Sequence, residues 1–387
     1  MYTVRTLNPI SPNGLSRLPD TLYALNPDAT DPDAILVRSA QMHGMTVNPK
    51  LIAVGRAGAG TNNIPIDDLS QRGVVVFNAP GANANAVKEL VMAGMLMSVR
   101  NLAEASSFVA QLDAADAELE KKVEGGKKKF VGSELSGRTL GVVGLGAIGV
   151  KVANAAKALG MRVLGFDPHM TVEGAWQLSS DVHKAGSLNE LYAQSGFVSF
   201  HVPLNPATRG LYAAGSLAVA KHGQVLLNFA REGIIDPEAL VEGLSSGVIS
   251  RYITDFPSAE LIGNPKVLSF PHLGASTHEA EENCAVMVVD QLREFIEHGN
   301  VINSVNFPNM RLAREGHQRI CIANRNKPNM IGQLSHVFGE SDVNITQMHN
   351  ASRGDYAYNI VDVDAPVGAA LVDALRAIDG ILSVRVI

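Results

Sequence analysis

The sequence predicts an α/β protein with two doubly wound parallel sheets, followed by a small C-terminal α+β domain. A glycine-rich turn near residue 144 joins a strand pattern directly to a helix pattern, and short apolar strand patterns alternate with helical patterns on both sides of it. Because alternating strands and helices form parallel sheets, these two regions are predicted to be Rossmann-like. The order βαββαβ over residues 319–387 predicts a ferredoxin-like unit.

The glycine-rich turn is the strongest local pattern. An apolar strand at 140–143 leads into Gly144, Gly146 and Gly149, and a helical pattern over 150–159 follows without a gap. In such a turn the first glycine allows the tight bend, the second lets the backbone approach a pyrophosphate, and the third lets helix and strand pack closely. The helix N-terminus then presents unpaired N–H groups to that anion. The pattern therefore predicts a dinucleotide site.

The acidic residue beyond the turn indicates which dinucleotide binds. The next strand pattern covers 161–166 and is followed by Asp167, about 20 residues beyond the glycines, where a ribose 2′-hydroxyl is usually bound. A carboxylate there repels a 2′-phosphate, so the sequence favours NAD over NADP. A later strand pattern ends at His201 and Pro203, which we expect beside the adenosine.

Composition limits the compartment and the partners. A chain of 387 residues predicts two or three domains, and 46% hydrophobic with 18% charged residues is typical of a globular protein. The net charge of −6 argues against nucleic-acid binding. Cys284 and Cys321 are interpreted as buried free thiols without metal-binding spacing, so no metal is expected. Neither a signal peptide nor an apolar run of roughly 18 residues is recognised, so we expect a cytoplasmic protein without membrane contact.

Polar side chains follow the strand patterns of the first hundred residues, which cover 34–39, 51–54 and 73–78. Ligands of parallel sheets collect at the carboxyl ends of the strands. Arg38, Ser39, Arg56 and Asn83 lie at or just beyond such ends and could hold a carboxylate or phosphate. The alternative is that both arginines are ordinary surface residues. The charge run at 118–129 predicts a solvated helix end and loop, with substrate contact by one of Lys127–Lys129 as a minor alternative.

Three ionisable side chains follow separate strands of the second predicted domain: Arg231, Glu260 and His272. A nicotinamide enzyme that oxidises a hydroxy acid needs a base for the hydroxyl proton, and histidine suits that task near neutral pH. A neighbouring carboxylate would fix the tautomer and stabilise the imidazolium. An arginine would bind the substrate carboxylate and polarise the carbonyl. For His272 alone, a structural histidine before a turn is the alternative.

Taken together, these motifs resemble the D-2-hydroxyacid dehydrogenase family, and within it the phosphoglycerate branch with a C-terminal ACT domain. The resemblance covers essentially the whole chain. It is carried by the segments 144–149, 201–203, 228–231, 255–260, 271–277 and 305–308.

The resemblance implies NAD-dependent oxidation of 3-phosphoglycerate to 3-phosphohydroxypyruvate, the first step of L-serine biosynthesis. It implies a homo-oligomer, either a dimer or a tetramer. It also implies a discontinuous substrate-binding domain at 1–82 and 281–312, an NAD-binding domain at 83–280 and an ACT regulatory domain at 317–387. The first two domains would close on the substrate and exclude water from it.

The resemblance also assigns roles to residues. Arg231 would bind the substrate carboxylate, Glu260 would pair with the histidine, and His272 would be the general acid/base. The substrate-side positions are Arg38, Ser39, Arg56, Asn83 and Arg231. With the turn motif, the expected cofactor contacts are Gly144, Gly146, Ala147, Ile148, Gly149, Asp167, His201, Pro203, Phe229, Ala230, Asp255, His272, Gly274 and Ala275.

The chain departs from the family pattern at several positions. Glu232 stands where glycine is usual, and Leu261 where proline is common. Ala40 stands where some members have a second phosphate-binding arginine, which leaves the phosphate contacts open. Serine-regulated relatives use a histidine and two asparagines between subunits. Asn326 and Asn344 match the asparagines, Asn324 replaces the histidine, and L-serine is the expected effector.

Two other functions fit the same sequence. The first is the same chemistry on another 2-hydroxy acid, such as hydroxypyruvate, glyoxylate or lactate, because the sequence does not prove that Arg38 and Arg56 converge on a phosphate. The second is a nucleotide-sensing scaffold without catalysis. The presence of Arg231, Glu260 and His272 together argues against a scaffold, since a sensor needs no proton shuttle.

Overall fold

The computed structural model describes all residues from 1 to 387, and the chain divides into two compact units. Unit 1 comprises Met1–Asn83 and His278–Ile387, and unit 2 comprises Ala84–Thr277. Unit 1 is therefore discontinuous in sequence. No helix in the chain is both long enough and apolar enough to cross a bilayer.

The first part of unit 1 is a five-stranded parallel sheet. Its strand order is β2-β1-β3-β4-β5. The strands are β1 (Tyr2–Thr6), β2 (Tyr23–Leu25), β3 (Ala34–Val37), β4 (Ala53–Arg56) and β5 (Val75–Phe77), and the helices are α1 (Pro12–Leu15) and α2 (Ile66–Gln71). No strand is predicted before Ala34 from the sequence. In β1 only Val4 is buried, and β2 has three residues, so neither carries a strong apolar pattern.

The strand predicted at 51–54 lies two residues later in the structure. β4 pairs with β3 through Gly55 and Arg56, opposite Leu36 and Val37. A side chain at Gly55 would meet Val288 Cγ2 at 2.8 Å, so glycine is required where the sheet packs on a helix. Because glycine is uncommon within strands, Gly55 makes the apolar pattern appear to end at Val54, although the strand continues to Arg56.

Unit 2 contains a seven-stranded parallel sheet of order β12-β11-β10-β9-β6-β7-β8. Two apolar cores cover its strands, and each also includes residues from the flanking helices. The strands are β6 (Thr139–Val143), β7 (Arg162–Phe166), β8 (His183–Lys184), β9 (Phe197–Phe200), β10 (Gln224–Asn228), β11 (Ile249–Thr254) and β12 (Val267–Ser269). The helices are α3 (Ala84–Arg100), α4 (Leu102–Ala110), α5 (Leu119–Gly126), α6 (Ala147–Ala158), α7 (Val172–Gln177), α8 (Leu188–Gln194), α9 (Ala214–Leu217) and α10 (Pro237–Ser246).

The charge run predicted as a helix end and loop is more regular than expected. It forms α5 and a 3-10 helix at Lys127–Phe130. Ion pairs three residues apart, Glu118 with Lys121 and Glu124 with Lys127, stabilise the helical turns.

The chain returns to unit 1 through α11 (His278–His298), whose buried face contributes to the core of the five-stranded sheet. A four-stranded antiparallel sheet with two helices follows. It consists of β13 (Gln318–Arg325), α12 (Met330–Glu340), β14 (Ile345–Arg353), β15 (Tyr356–Val363), α13 (Ala369–Ala377) and β16 (Ile381–Val386). The strand order β14-β15-β13-β16 is that of a ferredoxin-like fold. The predicted fold class is confirmed.

This C-terminal module shares the core of unit 1. Tyr358 and Ile360 of its sheet belong to the same buried cluster as Phe295 of α11. Arg319 is fully buried, forms an ion pair with Asp362 at 2.6 Å, and donates to the carbonyl of His298 at the end of α11. Burial is the largest single influence and opposes ionisation of Asp362, but the hydrogen bonds from Arg319, the N–H of Glu315 and Gln347 together outweigh it and lower the pKa of this carboxyl.

Candidate active site

The glycine-rich turn has the geometry that the sequence predicts. β6 ends at Val143, and Gly144 adopts a left-handed conformation with φ of 89°, which favours glycine. A side chain at Gly149 would lie 1.9 Å from the carbonyl oxygen of Gly144. The close approach of α6 to the end of β6 therefore requires glycine at this position.

The N-terminus of α6 is open. Gly146 is the N-cap residue, no side chain caps the helix, and a Cβ added at Gly146 would meet no atom within 4 Å. Ala147 is exposed and Ile148 is half-buried in the first turn. Because the first N–H groups of a helix have no partner within it, this end can bind an anion.

Asp167 follows β7 directly. Its Oδ2 accepts a hydrogen bond from the N–H of Leu145 at 2.8 Å, and its Oδ1 accepts from the N–H of His169 at 2.8 Å. The first of these bonds joins the carboxylate to the glycine-rich turn. The two bonds hold the charge at the end of β7, where the sequence predicts ribose recognition.

His201 lies at the end of β9, and its carbonyl oxygen would be 2.6 Å from a Cβ at Gly144. Its Nε2 lies 2.8 Å from the hydroxyl of Ser199, whereas Nδ1 is buried without a partner. Burial lowers the pKa of His201 to about 3, so the ring is neutral at physiological pH. Pro203 is exposed two residues further on.

Asp255 follows β11 and is almost completely buried. Its Oδ2 accepts from the N–H of Gly274 at 3.0 Å, whereas its Oδ1 has no hydrogen-bond partner. Burial raises the pKa of Asp255. A buried acceptor without a donor is costly, so Oδ1 fits a ligand that offers an N–H or O–H group. Ala275 follows Gly274 and is half-buried.

Together these observations fit a dinucleotide in unit 2. The space above Gly146, the charge of Asp167 and the unpaired oxygen of Asp255 all lie at the carboxyl ends of strands in one parallel sheet, where ligands bind. Phe229 and Ala230 follow the neighbouring β10 and are buried.

Arg231 follows β10 and is exposed. Asn228 holds the turn before it: the amide group of Asn228 donates to the carbonyl of Arg231 at 2.9 Å and accepts from the N–H of Ala230 at 3.1 Å. One guanidinium nitrogen of Arg231 donates to the carbonyl of Ala230 at 2.7 Å. Its other donors are available for a planar anion.

Glu260 and His272 are also exposed. Glu260 lies on the loop between β11 and β12 and accepts a weak hydrogen bond from the hydroxyl of Ser258 at 3.5 Å. His272 lies just after β12, and its ring packs on Phe256 with centroids 4.8 Å apart. No ion pair within 4.0 Å joins His272 to Glu260 in this structure.

The fold places the three predicted catalytic residues at the same edge of the sheet. β10, β11 and β12 are consecutive neighbours in unit 2, and Arg231, Glu260 and His272 follow their carboxyl ends. The arrangement offers an anion-binding guanidinium and an imidazole within the same unit as the dinucleotide features.

The predicted substrate residues Arg38 and Arg56 belong to unit 1. A guanidinium nitrogen of Arg38 donates to Glu281 at 2.6 Å, and both side chains are about 40% exposed. The Nε of Arg56 donates to Asn63 at 3.2 Å. Ser39 is exposed after β3, and Asn83 is half-buried at the end of the first segment of unit 1.

Two asparagines without a predicted role, Asn8 and Asn63, organise this region. The side-chain oxygen of Asn8 accepts from the N–H groups of Arg38, Ser39 and Ala40 at 3.2, 3.1 and 2.8 Å. Asn63 is buried, donates to the carbonyl of Ala40 at 2.7 Å and accepts from Arg56. Both lie in loops rich in Asn and Pro. That composition indicates turns but does not reveal hydrogen-bond partners more than 20 residues away.

Two of the lysines at 127–129 have local contacts. Lys127 pairs with Glu124, and the ammonium of Lys129 lies 5.8 Å from the ring centroid of Phe108. Neither contact points to substrate binding.

The asparagines expected to bind an effector are separated within one chain. Asn326 follows β13 and donates to the carbonyl of Gly354 at 3.0 Å, while Asn344 precedes β14 and donates to Asp364 at 3.1 Å. These positions are at opposite ends of β15, whose eight residues span about 24 Å. Asn324 is buried, accepting from Asn359 at 2.7 Å.

Comparison with known families agrees with this geometry. Residues 92–280 match the family described as "D-isomer specific 2-hydroxyacid dehydrogenase, NAD binding domain". A D-3-phosphoglycerate dehydrogenase of Haemophilus influenzae is 33% identical over 352 residues, covering 88% of this chain and 82% of the relative. A D-3-phosphoglycerate dehydrogenase of Methanocaldococcus jannaschii is 36% identical over 289 residues. That match covers 72% of this chain but only 53% of the relative, so the chain spans about half of its length. The prediction of an NAD-binding domain is confirmed.

Solved structures show the same fold. An NAD+-bound 3-phosphoglycerate dehydrogenase of Entamoeba histolytica has a TM-score of 0.59 at 24% identity, covering 79% of this chain and 98% of that one. A holo D-mandelate dehydrogenase of Rhodotorula graminis has a TM-score of 0.67 at 24% identity, covering 81% and 99%. At this identity the likeness concerns the fold alone.

The two glycines at the start of α6 should respond differently to alanine. In Gly146→Ala the new methyl group meets no protein atom, so the chain should fold normally but bind NAD at least about 10-fold more weakly, because the methyl fills space needed by the ligand. In Gly149→Ala the clash with Gly144 should lower both stability and NAD affinity. Thermal unfolding and calorimetric NAD titration would check both. Unchanged NAD affinity in Gly146→Ala would contradict the proposed site.

Proposed function

Because the chain belongs to the D-isomer specific 2-hydroxyacid dehydrogenase family, we propose that it oxidises 3-phospho-D-glycerate to 3-phosphohydroxypyruvate with NAD. In cells this reaction would be the first step of L-serine biosynthesis. One observation carries the proposal. Arg231 and His272 follow β10 and β12, which belong to the same parallel sheet as β6, the strand that leads into the open N-terminus of α6 at Gly146. The names of the relatives from Haemophilus influenzae and Methanocaldococcus jannaschii support the choice of substrate.

In the proposed mechanism Arg231 binds the substrate carboxylate through its free guanidinium donors. His272 accepts the hydroxyl proton of the substrate as the carbon–hydrogen bond breaks. Glu260 stabilises the imidazolium that forms, once the exposed loop carrying it moves within reach of the ring. Arg231 also stabilises the developing carbonyl oxygen, because its charge is fixed before the reaction begins.

NAD supplies the acceptor for the hydride. Gly144, Gly146, Ala147, Ile148 and Gly149 would hold its pyrophosphate, and Asp167 its adenosine ribose. Asp255 would accept a hydrogen bond from an amide of the ligand at its unpaired Oδ1, with Gly274 and Ala275 beside it. His201, Pro203, Phe229 and Ala230 would complete the contacts.

In unit 1, Arg38, Ser39, Arg56 and Asn83 would bind the substrate, with the phosphate held by the two arginines. Asn63 orients Arg56, which favours a defined anion contact at this guanidinium. The pair between Arg38 and Glu281 gives a reason to keep a second candidate open. If that pair persists when substrate binds, Arg38 contributes little charge, and an unphosphorylated 2-hydroxy acid would fit better.

A substrate panel tests the proposed reaction. NADH formation would be followed with 3-phosphoglycerate, D-glycerate and D-lactate in parallel, each at several concentrations. We expect kcat/KM for 3-phosphoglycerate to exceed that for D-glycerate by at least about 10-fold, since the two differ only in the phosphate. Arg56→Ala should reduce that preference more than it reduces D-glycerate turnover. A higher kcat/KM for D-lactate or D-glycerate would contradict the choice of substrate.

We propose further that the C-terminal module is an ACT domain that binds L-serine between two copies of the chain. Asn326 and Asn344 lie at opposite ends of one module, so a shared site would need one residue from each of two copies. This requirement favours a homo-oligomer, a dimer or a tetramer. The free buried thiols Cys284 and Cys321 favour the reducing cytoplasm as the location.

Calorimetric titration with L-serine tests this regulatory proposal. The whole chain should release or absorb heat on binding at submillimolar serine, and Asn326→Ala and Asn344→Ala should each abolish it. Co-expression of the two variants should restore part of the binding, because mixed oligomers contain intact sites. The absence of binding at millimolar L-serine would count decisively against the proposal.

A further inference from the structure

The imidazole of His272 is held by an aromatic ring. Its centroid lies 4.8 Å from that of Phe256, with the two planes inclined by 52°. Neither ring nitrogen of His272 forms a hydrogen bond or an ion pair within unit 2. The ring of Phe256 is thus the one aromatic neighbour of an otherwise exposed imidazole.

Phe256 is itself fixed to the sheet. Its N–H donates to the hydroxyl of Thr254 at 3.0 Å, and this hydroxyl donates to the carbonyl of Asn228 at 2.9 Å. Thr254 is fully buried at the end of β11, and Asn228 ends the neighbouring β10. The backbone of Phe256 is therefore tied to two adjacent strands.

The segment that carries His272 is anchored at a second point. Gly274, two residues beyond His272, donates its N–H to the buried carboxyl of Asp255. Asp255 directly precedes Phe256 in the chain. Asp255 thus contacts the backbone of the segment that carries His272, and Phe256 contacts the side chain of His272.

We propose that Phe256 is a positioning residue for His272. The inference rests on the function proposed above for this histidine. A contact between aromatic rings at this distance is attractive, and the face of a phenyl ring also attracts a cation, so the contact persists when the imidazole gains a proton. It leaves both ring nitrogens unoccupied. One is free for the substrate hydroxyl and the other for a carboxylate.

The variants Phe256→Leu and Phe256→Tyr test this role. Leucine keeps the apolar bulk but removes the ring, and we expect kcat to fall at least about 10-fold because the imidazole loses its orientation. KM and the NAD dissociation constant should stay within about twofold of wild type. Phe256→Tyr keeps an aromatic ring and should retain the wild-type kcat. The matched control is Phe130→Leu, whose ring packs on Phe108 at 5.4 Å and should leave kcat unchanged.

Nuclear magnetic resonance gives a readout that does not depend on turnover. The ring-proton resonances of His272 are assigned by their absence in His272→Gln. In the wild-type chain the ring current of Phe256 should change their chemical shifts from the values of an exposed histidine. This change should vanish in Phe256→Leu and remain in Phe130→Leu. The inference would be overturned if the His272 chemical shifts in the wild-type chain were those of an exposed histidine, or if Phe256→Leu kept full kcat. A parallel loss of NAD affinity in Phe256→Leu would also overturn it, because the ring would then support the whole site.

The outcome is separable from that of the proposed function. If the wild-type chain oxidises none of the hydroxy acids while the His272 resonances show the ring current, the proposed reaction fails, and with it any catalytic meaning of the contact. If the wild-type chain is active and the resonances are undisplaced, only the role of Phe256 fails.

Discussion

The packing of Gly149 against the carbonyl of Gly144 is the constraint on which the nucleotide site depends. A methyl group at residue 149 would lie 1.9 Å from that oxygen, so α6 can leave β6 at this angle only with glycine there. The angle directs the helix N-terminus to the carboxyl ends of the sheet. The other candidate residues of unit 2 follow strands of the same sheet. A dinucleotide bound at the N-terminus of α6 would therefore lie along the edge of the sheet where they are found.

The charges of unit 2 are distributed so that each suits a different part of a ligand. The carboxylate of Asp167 accepts hydrogen bonds from two backbone N–H groups and lies beside the glycine-rich turn. Asp255 is buried with one oxygen unpaired, and burial raises its pKa. His201 is neutral because burial lowers its pKa to about 3. Arg231 is an exposed cation that follows β10. The balance suits a ligand with an anionic centre and hydrogen-bond donors at either end.

Features that depend on contiguous residues can be predicted from the sequence. The glycine spacing, the strand before it and Asp167 after it are contiguous patterns, and the βαββαβ order specifies the C-terminal fold. β1 and β2 are not predicted from the sequence because neither has an apolar run. β1 forms through its pairing with β3, and β2 through its pairing with β1. The contacts of Asn63 and Phe256 could not be predicted for a related reason. Asn63 meets Ala40 23 residues away, and Phe256 meets His272 only because β11 and β12 are neighbours.

The central claim is that His272 takes a proton and contributes little to NAD affinity, and the variant His272→Ala tests it most directly. NAD binding would be followed by the fluorescence of Trp176, the one tryptophan of the chain, with turnover measured on the same sample and His222→Ala as a matched surface control. We expect turnover to be abolished while the NAD dissociation constant changes by no more than a few-fold. Loss of NAD binding together with turnover would contradict it and would make the histidine a structural residue.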